Sequence, residues 1–251
     1  MPAVKVAPDD HLPCLAVRAG DLPSRALVVG DPARAEKAAA RLDSSRELGR
    51  NREYVTFVGS HNGTEVAVVS HGVGSAGAAV CFEELCRSGV ERIIRAGTAG
   101  GMQIDVLDGH LVVATAAVRS DGYTQHVVPP EYPAVADPRL VDALLESASS
   151  AKVPVHHGIV LTNAHFYSHK VLGNSLPMWH EAGVVAVEME VAALFVIASL
   201  HGASAGAILA IDGNTIVDKD EAMVGYDPDR KVVHDAVDLM VGVALDALVA
   251  W

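Results

Sequence analysis

Arg25-Ala26-Leu27-Val28-Val29-Gly30-Asp31-Pro32-Ala33-Arg34 is a short apolar run that ends in a glycine and passes at once into a helical pattern. Residues 25–29 read as a strand, and Pro32, well tolerated in a first helical turn, opens a helix that residues 33–42 continue. The same alternation recurs outward from this stretch. Residues 54–60 and 65–70 flank Asn62-Gly63, a hairpin signal, and Ser75–Ser88 reads as a helix behind Gly72, Gly74 and Gly77. Strands are expected at 92–96, 110–118, 155–161, 184–187 and 205–211, and helices at 137–150 and 228–249. Strands alternating with helices to the end of the chain predict an α/β fold: one domain over residues 1–251, with a central mixed, mostly parallel twisted sheet flanked by helices.

Half of the 251 residues are hydrophobic, enough for a sizeable core, and the net charge is −12, which disfavours nucleic acid or an anionic membrane as partner. An anionic small ligand would therefore need a local cluster of arginines. The three cysteines, Cys14, Cys81 and Cys86, form no CxxC pair, and one would stay unpaired in any disulfide scheme, which points to a reducing, cytoplasmic setting. The first residues carry Asp9, Asp10 and His11 without a continuous apolar stretch, so no signal peptide is expected, and no run has the length of a membrane span. With no HExxH, clustered Cys/His or acidic metal loop, no metal site is expected either.

Three segments can carry chemistry. In Gly30-Asp31-Pro32-Ala33-Arg34, backbone N–H groups, the helix dipole and a guanidinium can converge on an anion, although such a turn is common. Arg95-Ala96-Gly97-Thr98-Ala99-Gly100-Gly101 repeats the arrangement, with an arginine near the end of an apolar strand and a hydroxyl donor in a glycine-rich turn. Glu188-Met189-Glu190 opens the most hydrophobic helix, 191–198. A run apolar on every side is buried, so these carboxylates must either face a polar pocket or complement the positive end of the helix dipole. Arg50-Asn51-Arg52-Glu53 reads as a solvated charged loop, and His71-Gly72-Val73-Gly74-Ser75 equally as a phosphate turn or as tight backbone packing.

In order along the chain, Gly30-Asp31-Pro32-Ala33-Arg34, Arg52-Glu53-Tyr54, Arg95 to Gly100, Phe166-Tyr167 and Val187-Glu188-Met189-Glu190 resemble the hexameric nucleoside phosphorylases, which include uridine phosphorylase and bacterial-type purine nucleoside phosphorylase. The resemblance implies the fold of that family and the cleavage of a nucleoside by orthophosphate, a co-substrate, to free base and ribose 1-phosphate with no cofactor. By position, Gly30, Arg34, Arg95 and Thr98 would hold phosphate, with Arg52 lent by a neighbouring subunit. Glu190, Glu188 and Met189 would bind the ribose, joined by His11 of a neighbour, and Phe166 would lie against the base. Sites of this kind imply a homo-oligomer, a hexamer built as a trimer of dimers. The features that read the base are divided. Arg119-Ser120-Asp121-Gly122 and residues 131–137 resemble the uridine enzymes, yet the Gln and Arg that those enzymes carry after the Phe-Tyr pair are absent from Ser168-His169-Lys170. Asp212 or Asn214 can take the place of the aspartate with which purine enzymes meet N7. The overall expectation is a uridine-phosphorylase-like enzyme whose base can be a purine; a phosphate-independent nucleosidase and a non-catalytic nucleoside-binding protein are the rivals.

Overall fold

A computed structural model describes residues 4–167, 171, 173–217 and 226–250; Ser168, His169 and Lys170, where the uracil-reading pair was sought, lie outside the described residues. The strands are β1 (His11–Leu12), β2 (Val17–Arg18), β3 (Arg25–Val29), β4 (Asp43–Asn51), β5 (Tyr54–His61), β6 (Thr64–Ser70), β7 (Arg92–Gly101), β8 (Leu111–Ser120), β9 (Ala134–Val135), β10 (Val155–Asn163), β11 (Ala186–Glu188) and β12 (Ser204–Asn214). The helices are α1 (Pro32–Ala39), α2 (Ser75–Ser88), α3 (Thr124–Val127), α4 (Pro138–Ser147), α5 (Leu176–Glu181), α6 (Val191–His201) and α7 (Lys231–Val249).

Among the described residues, ten strands form one mixed sheet, ordered β11-β10-β8-β12-β7-β3-β6-β5-β4 with β9 beside β8, and β1 and β2 form a separate ribbon. Its centre is parallel: β3 pairs with both β6 and β7, and β7 with β12. Antiparallel ladders extend it through β5 and β4 on one side and join β12 to β8 on the other. Helices α2 and α6 pack on one face, and α1, α4 and α7 on the other. Local chemistry starts the helices where the sequence suggests. Asp31 and Asp137 each accept a hydrogen bond from a backbone N–H two residues on, at 2.9 Å, with a proline next in line. The whole run from Val191 to Ala198 is buried, and each large side chain in it contributes about 1.5–3 kcal/mol of hydrophobic stabilisation.

The structure corrects the sequence reading at three places that bear on the site. Residues 50 and 51 belong to β4, an edge strand whose charged side chains keep it from pairing further, and only Arg52 and Glu53 form the turn into β5. Arg95 lies in mid-strand, because β7 runs on through Gly97, Gly100 and Gly101 to pair with β12 and β11. These glycines serve close approach rather than a turn: a Cβ on Gly97 would collide with the Arg95 guanidinium, and one on Gly101 with the Val106 carbonyl. The glutamates do not form a first helical turn. Glu188 ends β11, Glu190 occupies the N-cap position, and α6 begins at Val191.

Candidate active site

Parallel strands β6, β3 and β7 lie side by side, so their registers bring Gly30, His71 and Arg95 to one place. Arg95, 4% exposed, donates through Nη2 to Glu190 Oε2 and lies 3.5 Å from Glu188 Oε2. The expected phosphate arginine and the expected sugar carboxylate are thus one buried ion pair. Burial works against the Arg95 charge, but Glu190 and then Glu188 outweigh it and raise the pKa. For Glu190 burial is overcome by Arg95, by His71 and by the Gly74 N–H, which donates to Oε1 at 2.5 Å, so this carboxylate is held below the usual range. Glu188 goes the other way, pushed up by burial in spite of Arg95.

Both readings of the acidic pair hold at once. Glu188 accepts from the N–H groups of Glu190 and Val191 at 2.7 and 2.9 Å, capping α6, and from Thr162 Oγ1 at 2.6 Å. Thr162 in turn accepts from the Ala192 N–H at 2.9 Å, while Ser75 Oγ fixes the Met189 carbonyl at 2.7 Å. Met189 itself is half-buried. Glu188 is thereby a scaffold for the segment that aims Glu190.

A second group forms at the end of β12. Asp212, 6% exposed, accepts from the Tyr226 hydroxyl at 2.8 Å and from the Thr98 side chain. Burial pushes its pKa up despite these hydrogen bonds, so the protonated acid persists above the ordinary carboxylate range. Phe166 stands edge to face with Tyr167 and Tyr226, at ring separations of 5.1 and 5.9 Å, and is 49% exposed. Arg230 braces the corner by donating to the Asp212 carbonyl at 2.8 Å and pairing with Asp108. Half-buried Arg34 joins the two groups: its pKa is lowered by burial and then by the charge of Arg95, while Asp31 and Asp212 oppose that shift. Two guanidinium groups that repel each other in a desolvated corner make a place where an anion lowers the energy.

Three expected residues stand apart from these groups. Asn214 is held by a loop, donating to the Gln103 and Val106 carbonyls at 2.8 and 2.9 Å and accepting from the Ile216 and Val217 N–H groups, so of the two alternatives at this strand end Asp212 is the one placed beside Phe166 and Tyr226. Exposed His11 lies on the β1–β2 ribbon, and exposed Arg52, at φ 53°, sits in the β4–β5 turn close enough to Cys14 for its charge to bear on the thiol. Arg119 is likewise a clamp: it donates to Thr124 and to the carbonyls of Pro129 and Tyr132 in the loop that leads to β9. His71, Thr162, Tyr226 and Arg230 were missed as site residues. His71 was visible in a glycine-rich turn, whereas Tyr226 reaches Asp212 from a segment with no local pattern.

Known proteins share this architecture and much of this sequence. The pattern described as Phosphorylase superfamily matches residues 24–249. The chain is 39% identical over 222 residues to a purine nucleoside phosphorylase of Plasmodium falciparum, covering 88% of this chain and 89% of the relative. It is 37% identical to a uridine phosphorylase of Treponema pallidum, covering 80% and 81%. The crystal structure of purine nucleoside phosphorylase from Toxoplasma gondii in complex with immucillin-H superposes with a TM-score of 0.90 at 29% identity, covering 98% of both chains. Matched over nearly its whole length, with its sheet and sequence shared alike, the chain belongs to the phosphorylase superfamily.

Proposed function

We propose that the protein is a nucleoside phosphorylase that cleaves the N-glycosidic bond of a purine ribonucleoside with orthophosphate, giving free base and ribose 1-phosphate. Gly30, Arg34, Thr98 and the remaining N–H groups of Arg95 bind the phosphate; Glu190 accepts from the ribose hydroxyls, and Met189 packs on the sugar. Positive charge grows on the ribose in the transition state, and a phosphate held against C1′ is both nucleophile and counter-ion. No cofactor enters this scheme.

Asp212 carries the choice of base. Negative charge on the departing purine is relieved by a proton at N7, and a buried carboxyl whose pKa is raised by desolvation is suited to supply it. Phe166 and Tyr226 beside it offer aromatic surface to a purine. The names of the Plasmodium and Toxoplasma relatives agree with a purine. Against uracil stands the sequence Ser168-His169-Lys170, which lacks the Gln and Arg that uridine enzymes carry after the Phe-Tyr pair.

The assembly proposed is a homo-oligomer, a trimer of dimers, in which His11 and Arg52 complete a neighbour's site. A cytoplasmic location fits the unpaired cysteines, and among the described residues no helix is long and apolar enough to cross a membrane. The test is a panel of inosine, guanosine, adenosine, uridine, thymidine and a 5′-methylthio analogue, each with and without phosphate. Phosphate-dependent release of purines is expected. Turnover indifferent to phosphate would mean a nucleosidase, binding without turnover a non-catalytic protein, and preference for uridine would overturn the purine assignment.

A further inference from the structure

His71 is fully buried, and no residue of the mechanism above uses it. Its Nδ1 lies 2.9 Å from the Gly72 carbonyl, and a carbonyl can only accept, so Nδ1 carries the proton and Nε2 is a bare lone pair. The ring is neutral throughout the working range, because burial and then the Arg95 charge lower its pKa to about 4. Among the described residues, buried Nε2 has no hydrogen-bond partner, and neither have Nε and Nη1 of Arg95. His71 directly follows β6 and Arg95 lies within β7, the two strands that flank β3, and Gly30 follows β3 between them: a Cβ on Gly30 would stand 3.8 Å from His71 Cε1.

Counting donors and acceptors identifies what would satisfy the set. Nε and Nη1 of Arg95 carry three N–H groups that need acceptors, and His71 offers one acceptor that needs a donor. A tetrahedral oxyanion that keeps one O–H meets both demands; one without a proton meets only the first and sets an oxygen lone pair against the imidazole lone pair. We infer that His71 is a specificity-determining residue that accepts the P–OH of hydrogen phosphate, so that the site takes protonated oxyanions such as phosphate and arsenate and rejects sulfate.

This rests on the phosphorylase reading, and its test can fail separately from that reading. Phosphate KM, nucleoside KM and the inhibition constant of sulfate would be measured for the wild type, His71→Phe and His71→Gln, with direct calorimetric binding of phosphate and sulfate and thermal melting as a fold control. The wild type is expected to prefer phosphate over sulfate by roughly 100-fold, in line with the cost of leaving a buried polar group unpaired. His71→Phe should raise phosphate KM about tenfold and shrink the phosphate-to-sulfate ratio by a similar factor, with nucleoside KM changed less than about threefold. His71→Gln, whose amide oxygen still accepts, should recover part of the ratio. A ratio unchanged in folded His71→Phe overturns the inference, as it would if the imidazole merely faces a water. So does a variant whose nucleoside KM moves instead, which would turn the imidazole toward a sugar hydroxyl. A wild type that binds phosphate selectively but shows no phosphorolysis sinks the phosphorylase reading alone.

Discussion

At the scale of single residues, Arg95 has two tasks that a substitution confounds unless they are measured separately. Its guanidinium binds phosphate in the proposed reaction and also neutralises Glu190, with Glu188 close by, in a corner that excludes water. Arg95→Ala should therefore abolish phosphorolysis and also destabilise the fold by about 3–5 kcal/mol, the cost of leaving a buried carboxylate unpaired. Urea unfolding of Arg95→Ala, Glu190→Ala and the double variant should show strong non-additivity, the double losing clearly less than the sum. Additive losses would mean that the pair is not coupled. Asp212 gives a second prediction. Its raised pKa means the acid form is present at and above the ordinary carboxylate range and is lost as pH climbs through that raised value, so inosine phosphorolysis should fall on the alkaline side. Asp212→Asn should lower kcat for inosine by about 10²–10⁴. It should spare 7-methylguanosine, whose quaternised N7 leaves without a proton. Equal losses on both substrates would remove Asp212 from the role of acid. The sequence showed Arg95 as an odd charge in an apolar strand, but not its partner, since the pairing of residues 95 positions apart depends on strand register.

Among the elements, β7 shows why a motif was readable while its shape was not. Its glycine-rich string suggested a turn, yet the strand continues because neighbouring groups fill the space that side chains would occupy: the Arg95 guanidinium over Gly97, Thr215 beside Gly100 and the Val106 carbonyl at Gly101. Composition alone does not separate a glycine needed for its backbone angle from one needed for its missing Cβ. Gly97→Ala should push Arg95 off Glu190. The expected result is a loss of roughly 10²-fold in kcat/KM for phosphate, with a stability cost of about 1–3 kcal/mol from overpacking. Steady-state kinetics with a melting curve would check this, and full activity would show that the guanidinium tolerates the methyl group. Strand β4 failed to register for a different reason: residues 43–47 are all polar and exposed, with no alternation to mark an apolar face, so hairpin pairing with β5 holds the strand rather than burial. The burial of helix α6, by contrast, was legible, because a run apolar on every side has only the interior to go to, although its ends were not: it starts after the glutamates and runs on to His201.

For the whole molecule, the question is whether one chain holds a complete site. Arg34, Arg95, Glu190 and Asp212 are brought together within the chain, whereas His11 and Arg52 belong to a second group: the ribbon carrying His11 leads to Cys14, whose carbonyl accepts from Asn51 at 2.9 Å beside the Arg52 turn. Two residues expected in the site but held in a separate group suit a protomer that gives them to its neighbour. That division makes subunit complementation the decisive measurement. Arg52→Ala and Glu190→Ala proteins, each inactive alone, would be dissociated together and reassembled. In a mixed pair, one site combines the intact core of the Arg52→Ala chain with the intact Arg52 of its partner, while the other site has both defects. Random pairing puts half of the pairs in this mixed form with one good site of two, so about a quarter of wild-type activity should return. Phosphate KM in the reassembled material should match the wild type, because each restored site has the full set of cations. If activity stays at the level of the separate variants although light scattering shows that mixed oligomers have formed, each site is built from one chain and Arg52 serves the fold of its own hairpin.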